Sequence, residues 1–243
     1  VMGEAAAQFA IRARAELGKV IVGQEDVVRQ LLAVLLAGGH ALLEGVPGIA
    51  KTLAVKTLAH ICRLDFQRVQ CTPDLMPADI LGVNVYSAAT GAFTFRRGPV
   101  FTDLLLVDEV NRMPPRTQAA LLECMEERQV TLDGTRYPLP GFFTVFATQN
   151  PVEFEGTYPL PEAQLDRFLL KIRIGYPETD HEVEILKRYQ SGFDPRDLSR
   201  LGLGAIESEL LATARRDSGG VTVEPTLFKY ISVIVRRTRD WPA

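Results

Sequence analysis

Residues 41–52 read Ala41-Leu42-Leu43-Glu44-Gly45-Val46-Pro47-Gly48-Ile49-Ala50-Lys51-Thr52. A short apolar strand, 41–44, runs into a glycine-containing turn, and helical periodicity follows from about Lys51 to Cys62. A strand, a glycine turn and a helix in that order suit a phosphate group. Its oxygens need inward backbone N–H donors, a helix amino terminus behind them, and a lysine that reaches the outer phosphates. Residues Gly45, Val46, Pro47, Gly48, Ile49, Ala50, Lys51, Thr52 and Leu53 are therefore the candidate nucleotide cradle, with the Thr52 hydroxyl placed for magnesium. The pattern G-x-x-x-x-G-K-[ST] is one residue short, because Ala50 stands where a second glycine belongs. Alanine is admissible there if the residue has already entered helical φ/ψ. The plainer reading is a strand–turn–helix joint with an incidental lysine.

A second segment, Leu104-Leu105-Leu106-Val107-Asp108-Glu109, ends a buried strand on two carboxylates. Ligands gather at the carboxyl ends of strands in open α/β sheets. Asp108 is the candidate to hold magnesium through water, and Glu109 to orient and polarise an attacking water. Acids at a strand end are also common as solvated termini; the glycine turn upstream favours the functional reading. Ala147-Thr148-Gln149-Asn150 ends a further strand in polar side chains. Asn150 could hold that water or the γ-phosphate from the opposite side, or it could simply open the Asn150-Pro151 turn. Arg167, just before the last strand, could pair locally with Asp166 or Glu162, or could serve a neighbouring subunit's γ-phosphate as an arginine finger.

Outward from these segments, helical patterns cover 4–18 and 25–37, and Phe66–Gln70 reads as a second strand. Two alternating pairs of runs, 83–86 with 92–95 around Thr90-Gly91, and 130–132 with 135–137 around Asp133-Gly134, read as hairpins. Residues 116–128 are helical, and 142–147 and 168–174 are the remaining strands. Strands alternating with helices predict an α/β fold, a mostly parallel sheet covered on both faces. After Gly175-Tyr176-Pro177 only helical patterns remain, at 179–190, 207–216 and 225–238. The expected division is an α/β core over 1–176 and a small helical unit over 177–243.

The chain has 243 residues, 47% hydrophobic and 23% charged, with a formal net charge of -3. That balance disfavours general nucleic-acid binding, which calls for a basic surface. Cys62, Cys71 and Cys124 are scattered through apolar stretches, as are His40, His60 and His181 along the chain. Neither type offers metal-ligand spacing, and the cysteines read as reduced core thiols, so a cytoplasmic setting is expected. The longest apolar run, 31–43, is interrupted by Gly38-Gly39-His40, and the amino terminus is unlike a signal peptide. A soluble protein without membrane insertion is expected.

Taken together, GVPGIAKT (45–52), LLLVDEVNRMPPRTQAALLECMEERQVT (104–131), FATQNPVEFEGTYPLPEAQLDRF (146–168) and GYPETDHE (175–182) resemble the MoxR family of AAA+ ATPases. That family also carries alanine before the phosphate-loop lysine. The resemblance implies a P-loop NTPase fold with a helical lid, Lys51 and Thr52 as Walker A, Asp108 and Glu109 as Walker B, Asn150 as sensor 1 and Arg167 as the arginine finger. It places Val22-Gly23-Gln24 near the adenine. It makes the hairpins the helix-2 and pre-sensor-1 inserts that face a ring pore, and Gln70 a candidate for the residue that restrains Glu109 until a partner binds. A sensor 2 arginine belongs to a later lid helix that the sequence does not reach by Trp241-Pro242-Ala243, so the lid is expected to be incomplete. The implied cofactors are ATP and Mg2+. The implied partners are further copies in a ring (a hexamer), a client protein, and a von Willebrand factor A domain protein. ATP is expected over GTP, since no Asn-Lys-x-Asp motif is present. Two other readings stay open: a nucleic-acid motor using Arg96, Arg97 and Arg136, and a nucleotide-gated scaffold with negligible hydrolysis.

Overall fold

The computed structural model describes residues 3–46, 48–89, 91–151 and 156–239. Two helices open the chain, α1 (Glu4–Gly18) and α2 (Glu25–Ala37). The first buries a single stripe, Ala6, Phe9, Ala13 and Leu17, at the spacing that keeps one helical face inward. The second is broader, burying Val27, Val28, Leu31, Leu32, Val34 and Leu35. It stops at Gly38, whose left-handed backbone (φ 67°) lets the Gly39 N–H return to the Val34 carbonyl at 3.1 Å.

Then come β1 (Ala41–Glu44), α3 (Lys51–Cys62), β2 (Phe66–Gln70), a short α4 (Pro77–Leu81) and the hairpin β3 (Gly82–Ser87) with β4 (Ala92–Arg97). After it run β5 (Leu104–Asp108), α5 (Pro115–Glu127), the hairpin β6 (Gln129–Leu132) with β7 (Thr135–Pro138), β8 (Thr144–Gln149), α6 (Glu162–Leu165) and β9 (Leu170–Arg173). Helices α7 (Thr179–Gln190), α8 (Ser208–Gly219) and α9 (Pro225–Arg239) follow.

The main sheet has five parallel strands in the order β2-β5-β8-β1-β9. Side chains alternate across it. Ala41, Leu43, Leu104, Leu106 and Phe146 pack on one side with α1, α2 and α3, while Leu42, Leu105, Val107, Val145 and Ala147 pack on the other with α5. Both faces are thus covered, as near-continuous apolar strands require. The two hairpins stand beside the sheet and touch each other: Phe95 stacks on Tyr137 with centroids 4.2 Å apart, and the Asn84 amide donates to Asp133 at 2.7 Å. In the all-helical stretch after β9, α8 returns to the first layer, where its Leu211 and Ala214 share a core with α1 and α2. The Arg215 guanidinium bridges to the Leu35, Gly141 and Phe142 carbonyls and the Thr144 hydroxyl. Helix α9 has no buried residue.

Several boundaries differ from the sequence expectation. β8 begins at Thr144 because the Phe143 N–H closes a turn onto Pro140, and β9 is shorter because the Phe168 N–H turns back to Leu165. Helix α4 is additional; Pro77 opens it and the Asp79 carboxylate accepts the Met76 N–H at 2.8 Å. The loop expectations at Pro47 and Thr90 fall outside the described residues. Among the described residues no helix is long and apolar enough to cross a membrane.

Candidate functional site

Strand β1 lies between β8 and β9, and the chain leaves it for β2 at the far edge, so strand order switches direction at β1. The loop after β1 therefore opens at the carboxyl end of the sheet, where such folds bind ligands. Gly45 follows the strand where a Cβ would come within 2.5 Å of the Ile174 carbonyl oxygen. Gly48 is left-handed (φ 86°) with open space around it. One glycine thus answers a close approach and the other a backbone conformation.

Ala50 corrects the sequence expectation. It is left-handed (φ 63°, ψ 19°) rather than helical and stands at the N-cap of α3, so an L-residue carries the conformation glycine would take freely. Lys51 and Thr52 open α3 behind it, and the Lys51 ammonium donates to the Gly45 carbonyl. Burial lowers the Lys51 pKa, while the Asp108 and Glu109 carboxylates act in the opposite sense. The turn after β1 and the two acids at the end of β5 thus open at the same edge of the parallel sheet.

Asp108 is buried at the end of β5, with both oxygens engaged. The Thr148 hydroxyl donates to Oδ1 at 3.1 Å and Arg68 Nε to Oδ2 at 2.6 Å. Glu109 is left-handed (φ 59°, ψ 52°), and its N–H donates to the Thr148 hydroxyl at 2.9 Å. Its Oε2 accepts from the Gln70 amide at 3.0 Å and pairs with Arg112 Nε at 3.2 Å. The Gln70 contact is the one the family resemblance implied. Asn150 is buried just beyond β8, next in chain to the strand that supplies Thr148.

A cleft of about 480 Å³ lies beside the loop, lined by Val22, Gly48, Ile49, Ala50 and Leu53 on the core side and by Tyr176 and Leu186 toward α7. It has the size and apolar lining suited to a nucleotide base. Gly23, left-handed at φ 70°, sits against the His181 ring of α7. Arg167 lies apart from the acids: it pairs with Glu126 on α5 at 2.7 Å and donates to the Ala163 carbonyl at 2.9 Å. Its local partner is therefore Glu126, in place of the expected Asp166 or Glu162. Pro47 lies outside the described residues.

The donors available to a metal here are carboxylate and hydroxyl oxygens, the hard ligands magnesium prefers. Among the described residues no three His, Cys, Asp or Glu side chains gather as a cage. Magnesium commonly needs only one or two carboxylates when phosphates supply the rest, so Thr52 and Asp108 fit it. Sequence reasoning missed Arg68, Arg112 and Thr148. The detectable signal was the alternation of Arg68 and Gln70 on one face of β2.

The chain is similar to known proteins over most of its length. A family model described as "ATPase family associated with various cellular activities (AAA)" matches residues 40–170. The chain is 46% identical to the uncharacterised protein YeaC of Bacillus subtilis over 227 residues, covering 93% of this chain and 70% of that protein. It is 52% identical to Chaperone MoxR1 of Mycobacterium tuberculosis over 184 residues, covering 76% of this chain and 48% of the relative. Identity to Protein MoxR of Methylorubrum extorquens is 32% over 240 residues, covering 94% of this chain and 67% of that protein. The crystal structure of a candidate ATPase from Cytophaga hutchinsonii superposes with a TM-score of 0.83 at 44% identity, covering 97% of this chain and 71% of that one. The chain thus spans from about half to seven tenths of these relatives' lengths.

Proposed function

The chain belongs to the MoxR-type AAA+ ATPases, and from that membership we propose that it binds ATP with magnesium and hydrolyses it at a site completed by a neighbouring copy. The observation that carries this reading is that Lys51, at the start of α3, and the Asp108–Glu109 pair, at the end of β5, lie at the same carboxyl edge of the parallel sheet, where both acids act on the Lys51 ammonium. Lys51 and the α3 amino terminus receive the β- and γ-phosphates. Thr52 and Asp108 would hold a magnesium ion, whose chemistry there would be to offset charge on the phosphoryl group being transferred. Glu109 orients a water so that its oxygen forms the new bond to the γ-phosphorus as the bond to ADP breaks, and it takes up the proton released. Asn150 steadies that water from just beyond β8. The apolar cleft beside Val22, Ile49 and Leu53 takes the adenine, and within the helical stretch from 177 onward it is α7 that closes over it.

Arg167 supplies the missing positive charge in trans. Its pairing with Glu126 at the surface is compatible with release to a neighbouring site, since exposed ion pairs are worth at most about 1 kcal/mol. A ring of copies follows from that role. The relative named Chaperone MoxR1 supports a remodelling task on client proteins, and the family resemblance adds a von Willebrand factor A domain protein as the proposed partner.

Three variants test the scheme. Lys51→Ala should abolish nucleotide binding. Glu109→Gln should keep binding and lose turnover by about a hundredfold or more. Arg167→Ala should bind nucleotide normally while losing the rise of specific turnover with protein concentration. Unchanged turnover in Arg167→Ala at every concentration would end the shared-site mechanism, and size analysis with a non-hydrolysable ATP analogue would show whether a ring forms.

A further inference from the structure

We propose that Arg68 is a positioning residue of the nucleotide site: an internal counter-cation that holds Asp108 until a divalent ion displaces it, and that relays the exchange through Gln70 to Glu109. The inference rests on the proposed magnesium–nucleotide reading and adds to it a residue with a defined task.

The contacts form one chain. Arg68 Nε donates to Asp108 Oδ2 at 2.6 Å, and its terminal nitrogen donates to Gln70 Oε1 at 3.1 Å. Gln70 Nε2 donates in turn to Glu109 Oε2 at 3.0 Å. Arg68 and Gln70 are two apart on β2 and so face the same way, and the β2–β5 register sets Gln70 opposite Asp108. A guanidinium can serve two acceptors at once because its donors are fixed in a planar fork.

Exposure gives the exchange its direction. The Arg68 side chain is 51% exposed, while that of Asp108 is 10% exposed. Arg68 can therefore retire into water at little cost, but the buried carboxylate needs a cation beside it at all times. A divalent ion bound with nucleotide meets that need more strongly than a guanidinium. Once Arg68 leaves, Gln70 loses the donor that fixes its carbonyl oxygen, its amide can rotate, and its hold on Glu109 weakens. Glu109 then keeps only its Arg112 pairing, so its restraint loosens in step with metal occupancy, and by linkage the Gln70–Glu109 contact opposes metal binding to the same extent.

The test follows Mn2+ binding by electron paramagnetic resonance on the full chain with a saturating non-hydrolysable ATP analogue. Binding of a fluorescent nucleotide in EDTA runs alongside. Arg68→Gln should tighten Mn2+ about three- to tenfold, because a competing charge is removed, and leave metal-free nucleotide binding within about twofold. Arg68→Lys, which keeps the charge, should return Mn2+ affinity to the parent value. In turnover, Gln70→Ala and Arg68→Gln should combine less than additively, as members of one relay do. Unaltered or weaker Mn2+ binding in Arg68→Gln overturns the proposal. So does an Arg68→Lys protein that behaves like Arg68→Gln, or strict additivity with Gln70→Ala. If the parent chain binds no nucleotide in EDTA or with Mn2+, the magnesium–nucleotide reading itself fails, and the role of Arg68 with it.

Discussion

Ala50 and Glu109 are both non-glycine residues held left-handed, one directly before Lys51 and one directly after Asp108. Such backbone costs an L-residue on the order of 1–2 kcal/mol, and residues that keep it cluster where geometry matters more than local comfort. Ala50→Gly should relieve that strain but raise the entropy of the unfolded chain, giving a net gain of about 0.5 kcal/mol. Chemical denaturation would read it, and a clear loss of stability would contradict the left-handed assignment. His40 illustrates the same scale in the core. The Val145 N–H donates to its Nδ1 at 2.9 Å, so Nε2 carries the proton toward the Met125 carbonyl and the ring is neutral. Burial pushes its pKa from 6.5 down to about 4, with Arg128 and Arg215 adding to the effect and the Met125 carbonyl opposing it. The folded value lies below the unfolded one, so the unfolded chain binds more protons as pH falls between them. Stability is therefore fully present above pH 6.5 and declines toward pH 4. The loss at pH 5 should be about 2 kcal/mol, read from denaturant midpoints, and His40→Gln should flatten the slope above pH 5.

Among the helices, α8 shows how one side chain fixes the place of a whole element. Its buried contribution to the core is small, Leu211 and Ala214, yet Arg215 reaches four oxygen acceptors on α2, the 141–142 turn and β8, and lies over the Phe142 ring. Burial draws its pKa down to about 10, which leaves it charged at neutral pH. Arg215→Met keeps most of the packing volume and removes every donor, so partly buried carbonyls lose their partners. A loss of about 3 kcal/mol is expected, with faster hydrogen exchange across α8 before the main sheet opens. If α8 exchange stayed coupled to the sheet, the clip would not be what holds it. The sequence pattern showed α8 as a helix, but gave no sign that it returns to α1 and α2. A helix reports its own apolar face, and the partner for that face lies far away in the chain.

At the scale of the molecule, the three cysteines sample both layers: Cys62 in the α1–α3 side, Cys71 and Cys124 in the α5 side. Burial pushes each thiol up to about 12. Alkylation near pH 8 should therefore be slow for all three and follow opening of the layer that contains each one. Rapid native-state labelling of any of them would show that its layer opens independently. The sequence by itself determined the glycine turn before Lys51, the acid pair, the polar end of β8 and the alternation that covers a parallel sheet on both faces. Those features are contiguous: a turn that cradles phosphate, a strand that ends in acids and a helical stripe are each written within a few neighbouring residues. Tertiary structure alone decided the strand order β2-β5-β8-β1-β9 and the register that brings Arg68, Gln70 and Thr148 onto Asp108 and Glu109. It also paired Arg167 with Glu126 and turned Ala50 left-handed. Such meetings depend on which strands lie side by side and on how tightly a loop must close. Both are set by packing of the whole chain, so no local pattern carries them.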